Sequence, residues 1–196
     1  IRDINEFLER GSIEKEKLEG FLNYVETFSS FLDGHHKVEN QKLFPYFKPL
    51  VPDVPYVLLM KEHKVVESSL QEINSGINSL RSKKDEINSL NKLKSNFVKI
   101  DQIWYPHIQI EETQLFEKVG SLGIDRDEML RIQNKFAEFF QENTGPDYLV
   151  VPFALYNSSP EDRAILAAGF PEMVTRQLVP IDWKDKWISM QPFFLK

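Results

Sequence analysis

Apolar residues recur along this chain at helical rather than strand spacing. Residues 1–10 place Ile1, Ile4, Phe7 and Leu8 on one face, and Gly11 is a natural stop. After Ser12 a longer stripe begins, with Glu at three of the next seven positions. It repeats Leu18, Phe21, Leu22, Val25, Phe28, Phe31 and Leu32, then runs through HHKVENQKLF until Pro45 and the Pro52/Pro55 cluster end it. A third helix is predicted over about 56–81, with Leu59, Val66, Leu70, Ile73 and Ile77 inward. A fourth starts near Asp85, passes Trp104 and reaches about Val119, where Gly120 and Gly123 break it. Long segments, short connections and no alternating pattern between them predict an all-α fold, an antiparallel four-helix bundle.

The last third reads differently. Residues 125–142 form one more amphipathic helix, after which Gly145 and Pro146 open the apolar run YLVVPFALY. Ser159-Pro160-Glu161-Asp162 is a helix start: a capping Ser, Pro in the first turn, then acids at the positive end of the dipole. The tail DWKDKWISMQPFFL is rich in aromatics and interrupted by Pro. The expected division is a bundle over 1–122 and a C-terminal extension over 123–196, clasped on the outside of the bundle. A homodimer or protein-partner interface through the extension is the competing expectation.

Composition narrows the chemistry. A net charge of -6 argues against nucleic acid or an anionic membrane surface as the main partner. No apolar run approaches the roughly 20 residues a bilayer requires. Cysteine is absent, which removes thiolate zinc sites, iron–sulfur clusters, disulfides and a Cys nucleophile together. Any metal then sits among imidazoles and carboxylates. A cytoplasmic location is expected, and the start at Ile1 rather than Met implies residues upstream.

Two segments align residue for residue. His35–Phe44 (HHKVENQKLF) and His107–Phe116 (HIQIEETQLF) both read H-x-x-x-E-x-x-x-L-F. Residues four apart on a helix share a face, so His35, Glu39 and Leu43 form one stripe, and His107, Glu111 and Leu115 another. His63 sits on the inward face marked by Leu59, Val66 and Leu70, and Glu67 follows at the same spacing. Only 19 of the 196 residues are Glu, so three histidines of four with Glu four residues on lies far outside chance. Imidazole and carboxylate suit iron or manganese when sulfur is missing, and an inward carboxylate can bridge two ions roughly 3.5–4 Å apart. Burying these groups unpaired costs several kcal/mol each, and no Lys or Arg shares their stripes.

Other residues carry blander readings. His36 lies about 100° around the helix from His35 and lacks a Glu partner, which makes it a hydrogen-bonded core residue. Glu67 reads either as a ligand or as a solvent-side partner of Lys64 or Lys61. Trp104, Tyr105 and Tyr24 either line a pocket or simply fill core.

These residues resemble the hemerythrin-like proteins with the HHE cation-binding domain. HHKVENQKLFPYF looks like that family's second-helix signature, HHxxE followed by LFP. EHKVVESSL is similar to its third-helix EH segment, and HIQIEETQLF to its fourth-helix H-x-x-x-(D/E). The resemblance covers about residues 1–120. It implies an up-down-up-down bundle around two non-haem iron ions, with His35, His63 and His107 as terminal ligands and Glu39 and Glu111 as bridges. The family's first-helix His would fall upstream of Ile1, and the second third-helix His of oxygen carriers is replaced by Leu59. This carboxylate-rich set looks more like the eukaryotic and fungal members, some of which sense iron or oxygen. A ferritin-like bundle is the structural rival, but its E-x-x-H order occurs at none of the four histidines. The expected role is a binding or sensing module handling iron, O2, peroxide or NO, with a di-iron oxidase or peroxide-removing enzyme as the alternative.

Overall fold

The second hydrophobic stripe becomes a rod built in three joined pieces. In the computed structural model, which describes Ile4, Leu8 and residues 14–195, helix α1 (Lys15–Val38) runs into a wide turn (Glu39–Leu43) and then a closing turn (Phe44–Phe47). Helix α2 (Tyr56–Arg81) returns alongside it. Helix α3 (Glu86–Ile110) follows, likewise passing into a wide turn (Glu111–Phe116) and a last turn (Glu117–Gly120). In each wide turn a backbone N–H reaches back five residues, from Phe44 to the Glu39 carbonyl and from Glu117 to that of Glu112. Then come α4 (Arg126–Asn143), α5 (Asp147–Tyr156), α6 (Pro160–Ala168), a third wide segment (Val174–Asp182), the short α7 (Lys184–Trp187) and a 3₁₀ stretch (Ile188–Phe193). The described residues contain no strand, and none of their helices is long and apolar enough to cross a membrane. The fold is therefore an all-α helical bundle with a C-terminal extension, as the periodicity predicts. Except for Ile4 and Leu8, the helix expected over 1–10 lies outside the described residues.

One predicted stop moves. Pro45 does not end the second helix, because the wide turn restarts the rod just before it. Pro45 then falls in the first turn of Phe44–Phe47, where its missing N–H is not needed. The Ser159 cap forms as predicted, its hydroxyl accepting from the N–H of Asp162, and Asp125 caps α4 in the same way, its carboxylate accepting from the N–H groups of Asp127 and Glu128.

Among the described residues, two apolar clusters form the core of the bundle, and a smaller third one (Val151, Leu155 and Val179) lies within the extension. The first joins Phe21, Leu22 and Val25 of α1 to Ile73 and Ile77 of α2 and to Leu93, Phe97 and Ile100 of α3. The second gathers Leu43, Phe44 and Phe47 with Leu59, Leu115 and Val119, and α4 lays Met129 and Phe136 against it. Between the two clusters, the α1 rod carries His35 and Glu39, α2 carries Glu62 and His63, and the α3 rod carries His107 and Glu111. A buried polar layer thus separates two apolar ones.

The extension adds side chains to the first cluster. Phe153 of α5 meets Phe28 and Phe31 at ring-centre distances of 6.4 and 5.6 Å, and Trp187, Met190 and Phe194 are buried in the same cluster. The Trp187 indole donates to the Val179 carbonyl at 2.8 Å, and the Tyr24 hydroxyl donates to Asn157 at 3.0 Å. Contact with α1 is close enough to require glycine: a Cβ on Gly20 would stand 2.1 Å from the Ser189 carbonyl oxygen. Alanine in mid-helix normally gains about 0.5–1 kcal/mol over glycine. Here it must push a backbone carbonyl aside, an overpacking penalty of about 1–3 kcal/mol. Gly20→Ala is therefore expected to lower the melting temperature measured by circular dichroism, and an increase would show that the tail does not sit on α1 this closely.

Candidate metal centre

Three helices converge on the polar layer. Helix α1 brings His35, His36 and, at the first residue of its wide turn, Glu39; α2 brings Glu62 and His63; α3 brings His107 and, again opening a wide turn, Glu111. His36, Glu39, His63, His107 and Glu111 are all buried, at 2–5% exposure. His35 is half-buried, at the rim. The duplicated motif is thus a duplicated geometry. His35 Nε2 stands 3.1 Å from Glu39 Oε1, and His107 Nε2 stands 3.2 Å from Glu111 Oε1. His63 ties the halves together, its Nε2 lying 3.5 Å from Glu39 Oε2 and 4.0 Å from Glu111 Oε1. Its ring is sandwiched between those of His36, at 4.0 Å, and Phe44, at 5.6 Å, both nearly parallel to it. The repeat breaks at its last residue: Phe44 is buried on the site, whereas its counterpart Phe116 is 44% exposed.

An outer ring of partners fixes how the imidazoles present themselves. His63 Nδ1 lies 2.9 Å from the Asn40 side-chain oxygen, and His107 Nδ1 lies 2.8 Å from a Glu62 carboxylate oxygen. Both partners are acceptors, an arrangement that favours the Nδ1–H tautomer of each neutral ring and leaves its Nε2 lone pair facing the layer. Those two Nε2 atoms face each other at 3.0 Å. With nothing between them the lone pairs repel; a proton or a metal ion between them turns the same geometry into an attraction.

Three further buried atoms have no hydrogen-bond partner: His36 Nε2, Glu39 Oε2 and Glu111 Oε1. All three belong to residues of this layer, and buried polar atoms without a partner are uncommon in folded proteins. Burial, opposed by the His35 hydrogen bond, holds the Glu39 carboxyl above the usual range. Burial and then repulsion from His63 push His36 down to about 2, and burial with His107 pushes His63 to about 3, so both rings are neutral, the form that binds metal. At His35 and His107 burial is outweighed by the neighbouring carboxylates, and both are raised. Among the described residues, the ionic contacts of Glu39 and Glu111 are with histidines, so positive charge for this layer comes from protons or from cations.

The spacing fits a cation. The ligand atoms of His36, Glu39, His63 and His107 lie within 4.8 Å of one another, as do those of His35, Glu39 and Glu111. Two ligands on opposite sides of an ion at about 2.1 Å stand about 4.2 Å apart, so closing on a metal needs shifts of tenths of an ångström.

The five residues singled out by spacing (His35, Glu39, His63, His107 and Glu111) are brought together. His36 joins them, and its outer nitrogen is not satisfied by a hydrogen bond as its core reading required. Glu67 is exposed, and Leu59 is buried in the second apolar cluster. Glu62 and Asn40 were missed; each is the sequence neighbour of a ligand candidate, the one signal that marks them. Tyr105 is 72% exposed and Trp104 packs against the first cluster, while Tyr24 is core. The cavity that reaches the site has other walls. It holds about 710 Å³, touches His35, and is lined chiefly by Phe31, Phe140, Val151, Phe170, Val174 and Trp183.

No curated protein and no solved structure matches the chain. The hemerythrin HHE cation binding domain model matches residues 1–119, which contain every side chain of the buried His–Glu layer. That match spans more than half of the 196 residues, and the geometry it covers is that of a cation site, so the chain belongs to the hemerythrin HHE cation-binding domain family.

Proposed function

We propose that this protein holds two non-haem iron ions in the buried His–Glu layer and uses them to sense or handle iron, oxygen, or reactive oxygen and nitrogen species. The observation that carries this reading is the facing pair of Nε2 lone pairs, His63 and His107 at 3.0 Å, beside unpartnered oxygens of Glu39 and Glu111. Glu39 and Glu111 supply the bridging carboxylates, and His35, His63 and His107 complete the shells. Bound iron supplies redox reactivity toward O2, peroxide or NO; manganese accepts the same ligand types. The chain's own residues orient the ligands: Asn40 and Glu62 hold Nδ1–H of His63 and His107, and Phe44 keeps the His63 ring flat. Metal binding that removes repulsion inside the bundle is coupled to its stability, which is how such a layer would report its occupancy.

A second reading, a di-iron oxidase or peroxide-removing enzyme, is favoured by the cavity of about 710 Å³ that touches His35, a size typical of small-molecule sites. Oxygen or peroxide consumed over many turnovers with a reductant supports the enzyme. One stoichiometric reaction followed by a change in protease resistance supports the sensor.

Aerobically purified protein is expected to carry two irons per chain with oxo-to-iron absorption bands, and chelation is expected to lower its melting temperature. One zinc or no metal, with melting unchanged by chelator, would sink the reading. Glu39→Ala and Glu111→Ala are each expected to lose iron by elemental analysis while keeping their helicity. Glu62→Gln touches only the outer ring and should weaken binding about 10–100-fold. An unchanged affinity would mean that the His107 tautomer is fixed by something else.

A further inference from the structure

His36 is the one imidazole in the polar layer to which neither the paired motifs nor the inward stripe of α2 gives a role. Its exposure is 5%, its Nε2 has no hydrogen-bond partner, and its ring lies flat against His63 at 4.0 Å and edge-on to His107 at 5.9 Å. A buried imidazole whose only purpose is packing would be better replaced by an apolar ring, since it leaves a polar atom desolvated at about 1–3 kcal/mol. The ring also lies among ligand groups: one ligand atom of His36 lies within 4.8 Å of those of Glu39, His63 and His107. His35, by contrast, belongs to a separate group with Glu39 and Glu111 and sits half-buried against the large cavity.

We infer that His36 is a metal ligand and that it makes the two ion positions unequal. One is an enclosed subsite of three imidazoles (His36, His63, His107) and the Glu39 carboxylate. The other is a rim subsite of one imidazole and two carboxylates (His35, Glu39, Glu111). This rests on the metal reading above and amends it in one respect: Glu39 alone is shared between the two subsites, and Glu111 belongs to the rim one. Ligand chemistry separates the subsites. Three neutral imidazoles favour borderline ions such as Fe2+, Co2+ and Zn2+, whereas a carboxylate-rich set suits harder ions such as Mn2+. The enclosed subsite fills first and tightly. The rim subsite fills second, exchanges faster, and is the one a molecule in the cavity reaches.

The test uses metal-free protein with ring-15N-labelled histidines and Zn2+ as a diamagnetic probe. The first equivalent is expected to shift the Nε2 resonances of His36, His63 and His107, and the second that of His35. In parallel, Co2+ titration of wild type should show two steps. His36→Phe keeps a flat ring in the stack but has no nitrogen, and it should weaken the first step at least about tenfold. His35→Gln should weaken only the second. A His36 resonance that stays put while those of His63 and His107 move overturns the assignment, as does a first Co2+ step unchanged in a folded His36→Phe. Absence of any Zn2+ or Co2+ binding by wild type is a different failure and removes the metal reading itself. Were His36→Phe to unfold, the labelled wild type still decides.

Discussion

Everything in this bundle is arranged around a layer that does not stabilise itself. Two buried carboxylates, three buried imidazoles and a pair of facing nitrogen lone pairs sit between two apolar clusters. Left alone, such a layer loses hydration without regaining it. The apolar clusters above and below hold it in place: Leu, Ile and Phe side chains from α1, α2 and α3 lock the helices on one side, and Leu43, Phe44, Leu59 and Leu115 on the other. The hydrophobic effect thus supplies the free energy that keeps polar atoms in an arrangement only a cation satisfies. That is the logic of preorganisation, in which the fold pays the desolvation before the ion arrives.

The C-terminal extension belongs to this balance. Phe153, Trp187 and Met190 bury themselves in the first cluster, and the 3₁₀ stretch lies directly on Gly20. The same extension closes one side of the cavity that touches His35, through Val151, Phe170, Val174 and Trp183. Stability and access to the rim of the polar layer therefore depend on one segment of chain.

Much of this was legible in the sequence, and the part that was not has a physical reason. Periodicity marks where a helix runs, and α2 over 56–81 follows directly from its apolar stripe. The duplicated H-x-x-x-E places four residues in one layer because i and i+4 share a face, and the inward stripe of α2 adds His63. His36 was set outside the ligand stripe because the 100° rule treats a helix as having one inner face. Where three helices converge, two adjacent positions both turn inward. Here it is His35 that stands at the rim and His36 that is enclosed. Pro45 was misread for a related reason: a wide turn has no periodic signature of its own, since it changes the hydrogen-bond register without changing the residues. The seating of the tail on Gly20 is a contact across more than 160 residues of chain, which no local pattern encodes.

The two wide turns carry a last implication. Each begins on a carboxylate of the layer and delivers a leucine, Leu43 or Leu115, to the second apolar cluster. Each behaves as a ruler of fixed length between a polar anchor and an apolar one. Side chains within the ruler, such as Gln41, Lys42 and Gln114, are free to drift over generations, but its number of residues is not. Insertion or deletion of a single residue would rotate everything beyond it by most of a quarter turn or more. Among descendants of this sequence, length should therefore be preserved at these two places long after spelling has changed.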